Sequence, residues 1–197
     1  MDKHQSDMEE RQRLARKIEF LDNPERWDLL PPEKFLELLP IKKGDHILDL
    51  GAGTGYLALP AARMVDGIVY ALDFDPNMLE MIDSRAKGEN ITNIQLLEGS
   101  IDDIPLAEAS VNIVLASLVL HEVKPLSKVL EQIKHVLKED GYLLCFEYDT
   151  KESPVNRPPM HVRIPSSTME EELKNAGFSI VQKIFPEDYL YIFIVKK

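Results

Sequence analysis

The chain has 197 residues, of which 44% are hydrophobic and 29% charged, the proportions of an ordinary globular domain with a core of its own. Its formal net charge of -11 disfavours nucleic-acid partners, because affinity for a phosphate backbone comes from clustered Lys and Arg. Since Cys145 is the single cysteine, an internal disulfide and a thiolate-based zinc site within one chain are excluded.

The N-terminal residues lack the apolar core of a signal peptide, and no apolar run reaches the roughly twenty residues that span a bilayer. We therefore expect a cytoplasmic protein without a membrane span. No linker or internal repeat divides the sequence. We predict a single domain over residues 1–197, in which residues 1–31 form a helical lid and residues 32–197 form the core.

Short apolar runs alternate with helical patterns in the central part of the chain. These runs are nearly continuous, as expected for strands of a parallel sheet that is covered on both faces. The predicted strands are His46–Leu50, Ile68–Asp73, Asn93–Leu97, Val111–Ala116 and Tyr142–Tyr148, and the predicted helices are Tyr56–Val65, Pro76–Ala86 and Leu126–Leu137. This alternation predicts an α/β fold with right-handed crossovers.

The C-terminal part of the chain follows a different pattern. Two apolar runs, Phe178–Ile184 and Tyr189–Val195, are joined by a segment too short for a parallel crossover, so they predict an antiparallel hairpin. Ser167 and Glu170 have the spacing of a capping box before a helix that ends near Gly177. The polar segment between Thr150 and Pro165 is interpreted as a loop that covers the substrate.

The most specific local pattern is ILDLGAGTG, residues 47–55, in which an apolar run ends in an acid and glycines follow at alternate positions. Glycines in such a turn let the main chain approach a ligand closely. A dinucleotide fingerprint requires glycine where Tyr56 stands, so the spacing argues against NAD and FAD. Asp73 ends the next strand, where a carboxylate can accept both hydroxyl hydrogens of a ribose, whereas Asp75 is expected to cap the following helix.

Several blocks of the sequence together resemble class I S-adenosylmethionine-dependent methyltransferases of the small-molecule, ubiquinone/menaquinone type. These blocks are ILDLGAGTG, VYALDFDPNML, LLEGSIDDIPLAEASVNIV, LASLVLHEV, VLKEDGYLLCFEY and LKNAGF with the hairpin after it. The resemblance implies a Rossmann-like, seven-stranded, mostly parallel sheet of order 3-2-1-4-5-7-6 with helices on both faces. It also implies that S-adenosyl-L-methionine donates a methyl group to a small-molecule acceptor and becomes S-adenosyl-L-homocysteine.

The same resemblance implies where the cofactor binds. Its methionine end would lie on the glycine turn, its ribose on the acid of the second strand, and its sulfonium beside the loop after the fourth strand. The implied cofactor-binding residues are Asp49, Gly51, Ala52, Gly53, Gly55, Tyr56, Asp73, Phe74, Met78, Ser100, Ile101, Asp102, Ala116 and Ser117. The family often has an acid where Ser100 stands, and a hydroxyl accepts the hydrogen of the adenine amino group more weakly than a carboxylate does.

The chemistry of methyl transfer demands mainly alignment of the acceptor and exclusion of water. An acceptor that loses a proton also needs a base, and His121 is the best-placed candidate because it follows the fourth strand. The alternative for His121 is a packing or hydrogen-bonding role. Glu147 and Tyr148 are candidates to line the pocket, and Glu122 is expected to be solvated.

Further side chains have two open interpretations. Trp27 and Tyr56 either stack on a ligand or only pack. Arg157, His161 and Arg163 either contact a polar acceptor or lie in solvent. No cluster of His, Cys and acids has metal-ligand spacing, so we expect no metal.

Two functional alternatives remain beside the methyltransferase. The first is an NAD-linked oxidoreductase, because such enzymes share the logic of a glycine turn followed by an acid. The second is a non-catalytic adaptor that keeps the cofactor fold, and it is motivated by Ser100 and by the absence of an assured base.

Overall fold

The computed structural model describes residues 3–23, 31–153 and 158–197. In this part of the chain one seven-stranded sheet has the order β3-β2-β1-β4-β5-β7-β6. Its strands are β1 Ile47–Leu50, β2 Val69–Asp73, β3 Ile94–Glu98, β4 Val111–Ser117, β5 Leu137–Tyr148, β6 Ser179–Glu187 and β7 Leu190–Lys196. The helices are α1 Lys3–Leu21, α2 Pro32–Leu36, α3 Ala58–Met64, α4 Pro76–Gly88, α5 Leu126–Val136 and α6 Ser166–Asn175. The predicted strand order is confirmed.

The strands β1 to β5 run parallel, and β7 lies antiparallel between β5 and β6. All four residues of β1 are buried because both faces of the sheet are covered. Ile47 packs with α2, α3 and α4 on one face, and Leu48 packs with α5 and α6 on the other. The continuous apolar runs of the sequence are therefore those of central parallel strands, as predicted, and the hairpin is confirmed as well.

Two local predictions about the C-terminal half are wrong. The predicted capping box does not form, because α6 already begins at Ser166, directly after Pro165. Ser167 therefore lies inside the helix, and no side chain caps its start. Glu170 instead pairs with Lys174 at 2.6 Å. Strand β5 begins at Leu137 rather than Tyr142, because Leu137 pairs with Val111 across a register shift.

Helix α1 lies over the carboxyl ends of the parallel strands. Lys17 contacts Asp75 at 2.8 Å, and Asp75 also caps α4 as predicted by accepting the Asn77 backbone N–H at 3.1 Å. The Thr54 hydroxyl donates to Asp22, just beyond α1, at 2.7 Å. These contacts tie the N-terminal helix to the turn after β1.

Candidate active site

A cavity of about 1060 Å³ opens at the carboxyl ends of β1 to β5. Its walls come from α1, the glycine turn after β1, the ends of β2 and β3, the turn after β4, and a C-terminal set made of Tyr148, Pro158, Pro159, Val162 and Tyr189. Cavities that hold drug-sized ligands measure roughly 300–1,000 Å³. The cavity is therefore large enough for a nucleoside-sized ligand with a small second molecule beside it.

The glycine turn has a backbone conformation that residues with a side chain rarely adopt. Gly51, Gly53 and Gly55 have φ values of 62°, 54° and 89°, all in the left-handed region. A Cβ atom on Gly51 would lie 2.4 Å from Cγ2 of Val119. Gly51 and Gly53 line the cavity, so their main chain is open to a ligand.

Asp73 lies at the end of β2 and is almost fully buried, yet it lines the cavity. One carboxylate oxygen accepts the Gly53 backbone N–H at 2.8 Å, and the other accepts that of Asp75 at 2.9 Å. These bonds fix the plane of the carboxylate against the glycine turn. Each oxygen can accept a further hydrogen bond.

Asp49 presents a buried carboxylate that lacks a full set of partners. Within the described residues, its Oδ2 atom is buried and accepts no hydrogen bond. Burial raises the pKa of Asp49 to about 8, with a further contribution from the charge of Asp73, against a hydrogen bond from the Ala58 backbone. Because Asp49 lines the cavity, a cationic ligand group would satisfy this oxygen.

The unusual environment of Asp49 predicts a pH-dependent stability. Its carboxyl group has an ordinary pKa of 3.8 but a folded-state pKa of about 8, so the stabilisation it permits is complete below 3.8 and is lost as pH rises through 8. The variant Asp49→Asn is therefore expected to gain stability relative to the parent as pH rises from 5 to 9. Urea unfolding at several pH values measures this difference, and Asp66→Asn, which alters an exposed carboxyl group outside the cavity, is the control. A difference that is constant with pH would contradict the assignment.

The predicted cofactor-binding residues divide into two groups. Ten of them line the cavity: Asp49, Gly51, Ala52, Gly53, Tyr56, Asp73, Phe74, Ser100, Ile101 and Ser117. The other four lie outside its walls. Gly55 packs on Leu59, Met78 and Ala116 are fully buried in the core, and Asp102 pairs with Lys128 at 3.1 Å.

Two of the predicted polar residues have notable environments. The Ser117 hydroxyl is buried and, within the described part of the chain, makes no hydrogen bond although the residue lines the cavity. Ser100, in contrast, is exposed and its hydroxyl hydrogen-bonds Asp102. Tyr56 lines the cavity and also packs edge-on against Phe35, with ring centroids 6.2 Å apart, so it both packs and is accessible to a ligand.

His121 lies in the short helical turn after β4 and lines the cavity. Its ring Nδ1 atom is 2.8 Å from Oε2 of Glu147, and the side chain of Glu147 is fully buried. The Oε1 atom of Glu147 accepts the Leu120 backbone N–H at 2.8 Å. The sequence suggested that Glu147 lines the pocket, but it does not. Its carboxylate instead contacts His121 from the side away from the cavity.

The protonation of His121 is governed by its acidic neighbours. Burial lowers the pKa of His121, but the hydrogen bond and charge of Glu147, together with the charge of Glu122, raise it above its ordinary value despite an opposing effect of Arg163. Glu122 is exposed as a whole residue, as expected, but its carboxyl group lies at the cavity wall, where partial burial raises its pKa.

Arg163 is buried and organises the loop after β5 through hydrogen bonds to its backbone. The guanidinium donates to the carbonyl oxygens of Pro158 at 2.9 Å and Lys151 at 3.0 Å. His161 is exposed and lies outside the cavity walls. Trp27 and Arg157 lie outside the described residues.

Several wall residues had not been named individually, although the N-terminal segment was expected to form a lid and the segment between Thr150 and Pro165 a covering loop. They are Lys17, Phe20, Leu21 and Asn23 from the N-terminal segment, Val119 and Val123 after β4, and Val162 and Tyr189 from the C-terminal part. The charged pattern of α1 contained no signal for a ligand. The described residues contain no helix that is long and apolar enough to cross a membrane, and no group of three or more His, Cys, Asp or Glu arranged to hold a metal.

Comparison with known proteins places the chain among methyltransferases. Residues 41–191 match the model of a family described as a methyltransferase domain. A demethylmenaquinone methyltransferase of Lactobacillus johnsonii is 36% identical over 126 residues, which are 62% of this chain and 52% of that protein. The chain thus spans about half the length of the curated relatives it matches.

Solved structures support the same assignment. A SAM-dependent methyltransferase from Aquifex aeolicus superposes with a TM-score of 0.84 at 27% identity, covering 91% of this chain and 96% of that chain. An S-adenosylmethionine-dependent methyltransferase from Mesorhizobium loti, at 19% identity and a TM-score of 0.70 over 85% of this chain and 99% of its own, shares the fold. The family match and the sheet order together show that this chain belongs to the methyltransferase domain family, among its class I S-adenosylmethionine-dependent members.

Proposed function

We propose that the cavity binds S-adenosyl-L-methionine and that the chain transfers its methyl group to a small-molecule acceptor. The observation that carries this proposal is the pair of acids on either side of the glycine turn. Asp49 has an unsatisfied buried oxygen that suits an ammonium group, and Asp73 has an oriented carboxylate that suits a ribose diol. A cofactor with both an amino acid end and a ribose matches this pair.

The residues of the cavity fit the remaining parts of the cofactor. Phe74 has an exposed ring at the end of β2, and Ile101 offers a second apolar surface for an adenine base. The exposed hydroxyl of Ser100 can accept a hydrogen bond from the adenine amino group, in place of the acid that is common in the family. The glycine turn presents its main chain to the methionine end. When bound, the cofactor supplies an electrophilic methyl group on a positively charged sulfur.

The contribution of the chain itself is then to enclose and align the reactants. Phe20 and Leu21 of α1 cover the cavity from the N-terminal side, which supports the proposed role of this segment as a lid. Excluding water protects the methyl group from hydrolysis and strengthens the interactions of Asp49 and Asp73. The demethylmenaquinone methyltransferases among the relatives favour a small acceptor over a macromolecule.

Ligand-induced stabilisation tests the proposed cofactor directly. A ligand that binds only the folded chain raises the melting temperature in proportion to the logarithm of its concentration. We expect S-adenosyl-L-homocysteine to raise the melting temperature and NADH to leave it unchanged. Stabilisation by NADH alone would instead support the oxidoreductase alternative, and binding of S-adenosyl-L-homocysteine without any methyl transfer would support the adaptor.

A further inference from the structure

Helix α1 has no fully buried face to hold it on the protein. Between Arg11 and Leu21 every residue is half-buried or exposed, whereas the shorter helix α5 buries four apolar side chains in the core. Most of the stability of a helix in a folded domain comes from packing of its apolar face. Elements that bury little open locally at a low cost in free energy, and lids of binding sites are commonly of this kind. The packing of α1 therefore suits an element that opens and closes.

The same helix contacts both ends of the proposed cofactor site. The ammonium group of Lys17 lies 5.3 Å from the ring centroid of Phe74, at the proposed place of the adenine. Near the proposed place of the methionine end, Cδ1 of Leu21 lies 3.4 Å from the position that a Cβ atom on Gly53 would take. Lys17, Phe20 and Leu21 all line the cavity. A ligand that extends from Phe74 to the glycine turn would therefore be covered by α1.

Asp22 fastens the carboxyl-terminal end of α1 to the body of the protein. Its carboxylate accepts a hydrogen bond from the Thr54 hydroxyl at 2.7 Å, and both of its oxygens accept from the guanidinium of Arg85 on α4. Arg85 also donates to the Thr54 carbonyl oxygen at 2.9 Å, which closes the set of contacts. We call Asp22, Thr54 and Arg85 the latch. Asp22 and Arg85 both lie outside the cavity walls, so an effect of either on a ligand would pass through α1 or the glycine turn.

We propose that the latch controls exchange of the cofactor: S-adenosyl-L-methionine enters and S-adenosyl-L-homocysteine leaves when Asp22 releases Arg85 and Thr54, and α1 covers the site when the latch is closed. This inference rests on the proposed function. It adds Asp22 and Arg85 as positioning residues that hold the lid without touching the ligand. A closed lid blocks entry and exit alike, so the latch affects the association rate as well as the dissociation rate.

The first experiment measures both rate constants for S-adenosyl-L-homocysteine by surface plasmon resonance. Asp22→Asn removes the charge that pairs with Arg85 but keeps an oxygen that can accept the Thr54 hydroxyl. A weaker latch raises the open fraction of the free and of the bound chain, so we expect both rate constants to rise about tenfold while Kd stays within about threefold. A tenfold change corresponds to about 1.4 kcal/mol, a modest value that suits a pair whose side chains are partly exposed. A rise in the dissociation rate alone, or unchanged rates, would overturn the inference.

Further variants test whether the two sides of the latch act as one unit. Arg85→Gln breaks the same pair from α4 and should speed both association and dissociation, as Asp22→Asn does. The double variant should exchange little faster than the faster single variant, because both changes remove one contact. Effects that multiply in the double variant would overturn the inference. The matched control is Glu89→Gln, which breaks the Arg63–Glu89 pair at 3.1 Å outside the cavity and should keep the parent rates.

The second experiment detects opening of α1 by amide hydrogen exchange. We expect exchange over residues 11–21 to be slower when S-adenosyl-L-homocysteine is bound, and to be faster in Asp22→Asn than in the parent. The strands β1 and β4 should keep the protection of the parent, which also shows that the variant is folded. Equal exchange over residues 11–21 in parent and variant would overturn the inference.

The outcomes separate this inference from the proposed function. Failure of the parent protein to bind S-adenosyl-L-homocysteine would remove the proposed function itself. Binding by the parent, with rate constants that Asp22→Asn and Arg85→Gln leave unchanged, would remove only the role of the latch.

Discussion

Replacing Asp73 by alanine is expected to weaken the binding of S-adenosyl-L-homocysteine at least about 100-fold. Hydrogen bonds to a charged group contribute about 1.5–3 kcal/mol each, so the loss of two to a ribose diol amounts to about 3–6 kcal/mol, and about 1.4 kcal/mol corresponds to a factor of ten. The variant also leaves the Gly53 and Asp75 backbone N–H groups without their acceptor. Calorimetric titration of parent and variant measures the change.

A matched pair of variants separates ribose binding from loosening of the turn. Asp83→Ala removes an exposed carboxyl group of α4 outside the cavity, and it should leave the affinity unchanged. Asp73→Asn retains one acceptor oxygen, so we expect it to bind with an affinity between those of the parent and Asp73→Ala. Parent-like affinity in Asp73→Ala, with the fold intact, would remove the ribose assignment.

The variant Gly51→Ala is expected to lose both stability and cofactor binding. Its φ of 62° costs a residue with a Cβ about 1–2 kcal/mol, and overpacking typically adds about 1–3 kcal/mol. The added atom would lie 2.4 Å from Cγ2 of Val119. We therefore expect a loss of about 2–5 kcal/mol in the free energy of unfolding, measured by urea denaturation. Any displacement of the turn also moves the main chain that would contact the methionine end.

Two companion variants divide this effect into its causes. At Gly53 the φ is similarly positive, but the added Cβ would come no closer than 3.4 Å to a neighbouring atom, Cδ1 of Leu21, so Gly53→Ala should lose mainly the backbone part. In Val119→Ala the clashing methyl groups are gone, so adding Gly51→Ala to that background should cost less than in the parent. Equal costs in both backgrounds would show that packing against Val119 is not the cause.

The arrangement of the sheet was predictable because its signals are local and repetitive. Ile47 and Leu48 face opposite sides of β1 and both are fully buried, which requires the continuous apolar run that the sequence displays. The short connection before Tyr189 leaves only an antiparallel hairpin. The order of the strands came from the family resemblance, since periodicity alone does not determine which strands are neighbours.

The details that the sequence misjudged depend on contacts between distant segments. Glu147 is the last but one residue of β5, and nothing near it in sequence indicates that its carboxylate would contact His121, 26 positions earlier. Arg163 was a candidate ligand contact, but its guanidinium donates hydrogen bonds to carbonyl groups of the preceding loop. The N-terminal segment was expected to cover the strand ends, but the sequence did not single out Lys17, which lines the cavity. Each of these depends on tertiary packing.

Most of the residues predicted to bind the cofactor lie on the walls of one cavity. Ten of the fourteen predicted residues line one cavity, because the glycine turn and the strand ends occupy fixed places in this fold. Met78 is an informative exception, since it lies on the buried face of α4 and its side chain does not line the cavity. Whether these residues bind the cofactor stays a prediction that the Asp73 and Gly51 variants test.

The most direct test of the proposed activity is transfer of a labelled methyl group. The purified chain is incubated with methyl-labelled S-adenosyl-L-methionine and a small-molecule extract freed of protein and nucleic acid. We predict that the label enters a low-molecular-weight product and that S-adenosyl-L-homocysteine forms in equal amount. Binding of S-adenosyl-L-homocysteine without any labelled small molecule would contradict the account. So would a parallel incubation in which added protein or RNA takes up the label while the small-molecule extract does not.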